Sequence, residues 1–264
     1  VPVAPFAPVP SPDPAGVAAA AAALGGYPLV LKARRGGYDG RGVWVVEDLE
    51  DAVRVADEVH AKGLSLIVEQ YVVILRELAA LVVRGPAGDC AAYPVVESVQ
   101  RDGICVETIS PARVDRQLAT QAQQFALAVA ERIDVTGILA VELFETELGL
   151  RFCELAARPH NTGHHTIEGA VTSQFENHLR GVLGWPIGAT SLVAPAVAMV
   201  NVIGGDQPAP ENALQHALAV PGANVHLYGK QYRPGRKLGH VTALGGDADD
   251  ALMRARKAAE LLAP

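Results

Sequence analysis

The chain has 264 residues, half of them hydrophobic, 19% charged and 5% aromatic, with a formal net charge of −7. That is enough chain for one large domain or two closely packed lobes, and it is too apolar for disorder. The acidic balance excludes a general nucleic-acid footprint, the apolar runs fall far short of a membrane span, and three scattered cysteines (Cys90, Cys105, Cys153) form neither a disulfide framework nor a CxxC metal site, which fits a reducing cytoplasm.

Residues 1–14 carry six prolines, which fix φ and offer no backbone donor, so this stretch reads as an extended linker. Asp13 is placed to cap a helix with Pro14 in its first turn, and Gly25-Gly26 stops it after a short Ala-rich run. Strands are expected at 27–33 and 43–47, bracketing the glycine-rich RRGGYDGRG. A helix over 48–62 and a short buried strand at 66–69 follow, then strands at 77–84 and 91–99. Leu118, Ala122, Phe125 and Val129 recur at spacings of 4, 3 and 4, the stripe of an amphipathic helix between Arg113 and Arg132. Strands at 137–144 and 150–156 are joined by a short turn. The tail from about 194 alternates strand-like runs with Gly and Pro and ends in a helix over 247–262.

Four constellations carry chemistry. In KARRGGYDGRG, Lys32 ends a strand and Gly36, Gly37, Gly40 and Gly42 let backbone N–H groups approach a phosphate; the alternative is a glycine-rich hairpin without a ligand. If the strands around 148 pair antiparallel, Glu142 and Glu154 face each other and can share a hard cation such as Mg²⁺; the alternative is that one points to solvent. In RPHNTGHH, Arg158 offers a planar fork to an oxyanion and His160 and Asn161 can donate to it, while the spacing does not support a zinc site. YGKQYRPGRKLGH gathers Lys230, Arg233, Arg236, Lys237 and His240 around a Pro-Gly turn, which reads either as phosphate capture or as a solvated charged hairpin.

In that order along the chain, KARRGGYDGRG, VEQYV with Glu77 beyond it, YPVVESVQRDGICVET, AVELFE, CELAARPHNTGHHT, TSQFENHLR and HLYGKQYRPGRKLGH resemble the carboxyaminoimidazole ribonucleotide synthetase family of the ATP-grasp superfamily, over almost the whole sequence. The resemblance implies an α+β ATP-grasp fold, two lobes gripping ATP: linker 1–14, small lobe 15–70, large lobe 71–193 with the metal and oxyanion site, and a β-rich C-terminal subdomain 194–264 with the basic phosphate-binding turn. The family's N-terminal Rossmann-like domain has no counterpart in the sequence. The implied activity is that of a carbon–nitrogen ligase of purine biosynthesis, which uses ATP, Mg²⁺ and bicarbonate to carboxylate 5-aminoimidazole ribonucleotide through carboxyphosphate. A cytoplasmic homodimer with no nucleic-acid or membrane partner is implied with it.

Matched motif by motif, the resemblance assigns Lys32, Gly36, Gly37, Glu69, Gln70, Val72 and Glu77 to ATP, with 69–72 as the adenine hinge and Glu77 on the ribose. Glu142 and Glu154 become the Mg²⁺ ligands, and Arg158, His160 and Asn161 the bicarbonate or carboxyphosphate pocket. Tyr38, Asp39, Arg41, Lys230, Arg236 and Lys237 fall to the ribonucleotide, with Asp39 accepting the amine proton. The alternative is a noncatalytic ATP-binding fragment or partner-binding module. Three positions depart from the family pattern: Cys153 stands where Asn is usual, Ala157 for Pro and Ala79 for Ser.

Overall fold

The computed structural model describes residues 2–9, 13–37 and 40–263. The first lobe is built from β1 (Phe6–Pro8), α1 (Pro14–Ala23), β2 (Leu29–Ala33), β3 (Val43–Val46), α2 (Leu49–His60) and β4 (Leu66–Gln70). Its four strands lie in the order β1-β4-β2-β3, all antiparallel. Both helices start as the sequence dictates: Asp13 Oδ1 accepts from Gly16 N at 2.8 Å and Asp48 Oδ1 from Asp51 N at 2.9 Å, each satisfying an orphan donor of the first turn. Alternation along the strands sends Leu29, Leu31, Val46 and Val68 into a core with Val17, Ala21, Val55 and Val59 of the helices. The opposite face carries Val30, Lys32, Ile67 and Glu69, none of which belongs to that core.

The expected linker needs a correction. Phe6–Pro8 pairs with 67–69 as an edge strand, and Phe152 N of the second lobe donates to Pro2 O at 2.7 Å. Prolines at sheet edges are tolerated because the outward side needs no donor, and Pro5 and Pro8 sit on this edge.

The second lobe contains β5 (Arg76–Arg84), β6 (Cys90–Ala92), β7 (Val96–Arg101), β8 (Ile104–Ser110), α3 (Arg116–Arg132), β9 (Gly137–Thr146), β10 (Gly149–Ala156), a 3-10 turn (Asn161–Gly163), α4 (Thr166–Gly169) and α5 (Gln174–Leu183). The C-terminal part adds β11 (Ala196–Ile203), α6 (Ala213–Leu218), β12 (Ala223–Leu227), β13 (Lys237–Gly245) and α7 (Ala248–Leu262). Its three strands extend the sheet of the second lobe through the β8–β11 pair. The result is one nine-stranded antiparallel sheet, ordered β10-β9-β5-β7-β8-β11-β13-β12 with β6 beside β5. No helix among the described residues is long and apolar enough to cross a membrane.

One face of this sheet is sealed twice. α3 covers Leu78, Ala80, Val82, Leu139 and Val141, and α7 covers Ile109, Val200, Val241 and Ala243. The most buried line of α3 is Ala122, Ala126 and Ala130, flanked by the expected Leu118, Phe125 and Val129, because small side chains let the helix lie close on the strands. The other face is polar along much of its width. Strand register lines up Glu77, Ser98, Thr108, Met199, Thr242 and Asn224, one per strand from β5 to β12.

Two expectations for the sheet are revised. The strand expected at 91–99 breaks at Tyr93-Pro94, where Pro94 offers no ladder donor and the buried Tyr93 hydroxyl donates to Thr172 O at 3.0 Å. β8 was not anticipated. Its signal is Asp102-Gly103, whose φ angles of 51° and 72° give the mirror-image turn that hairpins prefer.

Candidate active site

The β9–β10 hairpin brings Glu154 directly opposite Glu142, as the sequence predicts, but by an unexpected route. From Phe152↔Leu143 a regular ladder would next pair Cys153 with Glu142. A β-bulge at Cys153 takes up one residue and hands that place to Glu154. Glu142 Oε1 also lies 3.0 Å from His160 Nε2. Burial, then the neighbouring Glu142 carboxylate, raises the pKa of Glu154. Burial and Glu142 push Glu77, on the next strand, up to about 7, although a hydrogen bond from Gln100 offsets part of the rise. Burial likewise pushes the Cys153 thiol up to about 12, with Lys32 opposing and the three glutamates adding, so it stays protonated at neutral pH.

Across the cleft, Lys32 Nζ of β2 pairs with Glu69 Oε2 of β4 at 2.7 Å, a diagonal contact on the open face of the small sheet. The Lys32 charge also reaches Glu154, whose pKa it lowers. Ala33 N donates to Gly42 O at 2.8 Å, closing the base of the glycine loop, and Gly36, Gly40 and Gly42 hold φ of +78°, +72° and +81°. A Cβ on Gly40 would stand 2.8 Å from Gly103 Cα, so the loop rests on the β7–β8 turn of the other lobe. Gly37 packs against the carbonyl of exposed Arg41. Tyr38 and Asp39 lie outside the described residues. Gln70 N donates to Pro5 O at 2.8 Å at the end of β4. Val72 is half-buried in the irregular 71–75 link between the lobes, where Tyr71, Val73, Ile74 and Leu75 expose apolar surface.

The loop after β10 runs past Glu142 and on to the far end of the sheet. Arg158 is exposed, with one guanidinium N–H on Pro159 O at 3.1 Å. The Asn161 amide nitrogen is buried with no partner at normal hydrogen-bond geometry among the described residues, and its side chain lies beside the Cys105 thiol, whose pKa rise it opposes. Further along, His164, His240 and His226 stack, with ring centroids 5.0 and 4.5 Å apart. Tyr228 Oη is 2.8 Å from His240 Nδ1, and His226 Nε2 is 2.6 Å from Glu168 Oε1. Lys230 Nζ sits 4.9 Å from the Tyr228 ring centre and donates to Lys237 O at 3.2 Å, while Arg236 donates to Gln231 O at 3.2 Å. The basic turn is therefore docked on the imidazole stack.

Sequence reasoning missed this stack, Glu168, Gln100 and Gln174. The stack was traceable: pairing HLYGK with GRKLGH around Pro-Gly places His226 opposite His240. Gln100 and Gln174 lie inside the YPVVESVQRDGICVET and TSQFENHLR segments that carry the resemblance, but nothing in those segments sets either glutamine apart from its neighbours.

The donor set fits a divalent cation of the Mg²⁺ type. The Glu142 carboxylate raises the proton affinity of the facing Glu154, and both are hard oxygen donors. Among the described residues no group of three or more His, Cys, Asp or Glu is arranged to hold a metal ion.

Comparison with known proteins gives the family and the fold. The ATP-grasp domain family matches residues 1–175, and the phosphoribosylaminoimidazole carboxylase C-terminal domain matches 197–254. N5-carboxyaminoimidazole ribonucleotide synthase of Mycobacterium tuberculosis is 52% identical over 241 residues, 89% of this chain and 56% of that protein. The solved N5-carboxyaminoimidazole ribonucleotide synthetase of Thermus thermophilus superposes with a TM-score of 0.87 at 39% identity, covering 100% of this chain and 69% of that one. The Aspergillus clavatus synthase, solved with ADP and 5-aminoimidazole ribonucleotide, gives 0.88 at 33% identity, covering 99% and 69%. The chain thus spans little more than half the length of the curated relatives it matches. It belongs to the N5-carboxyaminoimidazole ribonucleotide synthetase family of ATP-grasp proteins.

Proposed function

We propose that this chain carries the ATP- and bicarbonate-dependent N-carboxylation of 5-aminoimidazole ribonucleotide, a ligase reaction of purine biosynthesis. The observation that carries the reading is the Glu142–Glu154–Glu77 cluster facing Lys32 across the interlobe cleft. Carboxylates beside a single lysine do not attract a polyphosphate by themselves; with a divalent cation held by the facing pair Glu142 and Glu154 they would. Glu142 and Glu154 hold that Mg²⁺. When bound, it supplies charge neutralisation for the β- and γ-phosphates.

The chain's own residues then divide the work. Gly36 and Gly37 present backbone N–H groups to the phosphates, and Lys32 adds a point charge. Glu69, Gln70 and Val72 border the adenine at the interlobe link, and Glu77 accepts from the ribose. A bicarbonate oxygen attacks the γ-phosphorus and ADP leaves, giving carboxyphosphate, held by Arg158, His160 and the buried Asn161 amide. The ribonucleotide amine then attacks the carboxyl carbon, phosphate leaves, and Asp39 takes the amine proton. Tyr38, Arg41, Lys230, Arg236 and Lys237 hold the ribonucleotide. Carboxyphosphate hydrolyses readily, and the glycine loop resting on the β7–β8 turn shields the cleft from water. A cytoplasmic homodimer follows from the family resemblance alone.

The test is phosphate release from ATP and Mg²⁺, with and without bicarbonate and then with aminoimidazole ribonucleotide. Bicarbonate-stimulated release supports the reading. ATP binding with no stimulated release assigns the chain to the noncatalytic alternative.

A further inference from the structure

Gln174, the first residue of α5, is wholly buried, and its side chain makes three hydrogen bonds, all to one loop. Its Oε1 accepts from His160 N at 2.9 Å, and its Nε2 donates to His160 O at 2.8 Å and meets His164 Nδ1 at 3.0 Å. The first two bonds fix the backbone of the residue whose ring lies against Glu142. The third fixes the ring that begins the imidazole stack leading to Tyr228 and the basic turn. The surroundings are built around this amide. Thr166 Oγ1 accepts from Gln174 N at 2.9 Å, and a Cβ on Gly163 would collide with the Gln174 amide and with Leu81, so only glycine admits it there.

We propose that Gln174 is a positioning residue that couples the two halves of the site, holding the oxyanion loop at His160 and the ribonucleotide-phosphate turn at His164 in one fixed relation. The assignment of those two halves rests on the function proposed above. A buried amide suits the task because it is donor and acceptor at once without charge. Its N–H can donate to His164 Nδ1 only while that imidazole is neutral. Burial, with neighbouring His160, His165, His226 and Lys237 adding, holds His164 down at about 4. The other faces against His164 are Phe175, Tyr228 and His240, and His240 is held down at about 3 for the same reasons. His226, beyond it, carries the Glu168 carboxylate.

The test uses the full chain with Gln174→Met, which keeps volume and loses all three bonds, and Gln174→Glu, which keeps the acceptor and loses the donors. Thermal melting checks that both fold. For Gln174→Met, the KM for bicarbonate in phosphate release and the Kd for ribose 5-phosphate are both expected to rise at least tenfold, with the KM for ATP within twofold of the parent. For Gln174→Glu, the loss should shrink only as pH falls toward 4, where His164 takes up a proton that it can donate to the new carboxylate. A rise in only one of the two constants, or an equal rise for ATP, overturns the coupling and leaves Gln174 a local or merely structural residue. The ring nitrogens of His240, which Gln174 does not touch, give a readout independent of activity. Their NMR shifts move in Gln174→Met if the amide holds the stack, and unmoved shifts refute it. If the parent chain shows no bicarbonate-stimulated release, the functional reading fails while the His240 result still decides the coupling.

Discussion

The polar face of the nine-stranded sheet has two ends with opposite demands. At the β5–β9–β10 end, Glu77, Glu142 and Glu154 crowd together, and burial plus mutual repulsion raise Glu77 and Glu154. At the β12–β13 end, His164 and His240 stack in a buried layer, with His165 buried nearby, and burial lowers all three. The first end is destabilised by its own charge and is relieved by a proton or a cation. The second is built to stay neutral and is disrupted by a proton. The contrast shows how one sheet face can keep unlike demands apart: the carboxylate end carries negative charge, the buried imidazole layer stays neutral, and the cations beside it lie on the Lys230–Lys237 turn.

Breaking the carboxylate end should have the largest effect. Glu154→Gln is expected to reduce Mg²⁺-dependent ATP turnover at least about 100-fold, since an amide cannot replace a carboxylate at a divalent cation. The same change should slightly stabilise the metal-free chain, because Glu142 loses a repelling neighbour. Phosphate release at limiting Mg²⁺ and thermal melting in chelator measure the two effects.

The imidazole end sets the acid limb of stability. His164, His165 and His240 are held at about 4, 4 and 3, below the ordinary imidazole value of 6.5. Their contribution is complete above pH 6.5 and is lost as pH falls through the folded values, because the unfolded chain takes up the protons first. Each adds a slope of at most about 1.4 kcal/mol per pH unit in that window. Denaturant unfolding between pH 7 and 4 should show this slope, and His240→Asn should make it shallower.

Gly163→Ala sharpens the comparison at the junction of the two ends. The added methyl meets Leu81 and the Gln174 amide, for an expected loss of about 1–3 kcal/mol. Urea midpoints measure it.

Glu77→Gln should have the smallest effect. The folded carboxyl sits at about 7 against an ordinary 4.5, so its contribution is present below 4.5 and lost as pH rises through 7. Allowing for solvent screening of a part-exposed group, the loss is about 1 kcal/mol. Gln at 77 should remove that dependence in melts from pH 5 to 8.

Much of this architecture was legible in the sequence, for reasons that are local. Asp13, Asp48 and Asp247 cap the helices they were placed to cap or begin, because the N-cap preference is a one-residue effect. The Glu142–Glu154 pairing was also legible, although a turn centred at Leu148 predicts it only because the bulge at Cys153 makes up for a turn that sits half a residue earlier. The joining of the C-terminal strands to the large-lobe sheet was not legible, since it depends on the β8–β11 pairing between segments about ninety residues apart. Gln174 stands in the TSQFENHLR segment of the resemblance, yet its role was not legible for the same reason: it depends on which loop folds over it.

The central claim is that the carboxylate end is a cation-dependent nucleotide site. Calorimetric titration of ATP into the full chain, with Mg²⁺ and with chelator, tests it most directly, alongside Glu142→Gln/Glu154→Gln. ATP binding that requires Mg²⁺ and disappears in the double variant is the predicted result. Equal ATP affinity with and without Mg²⁺, or binding that survives both substitutions, contradicts the account.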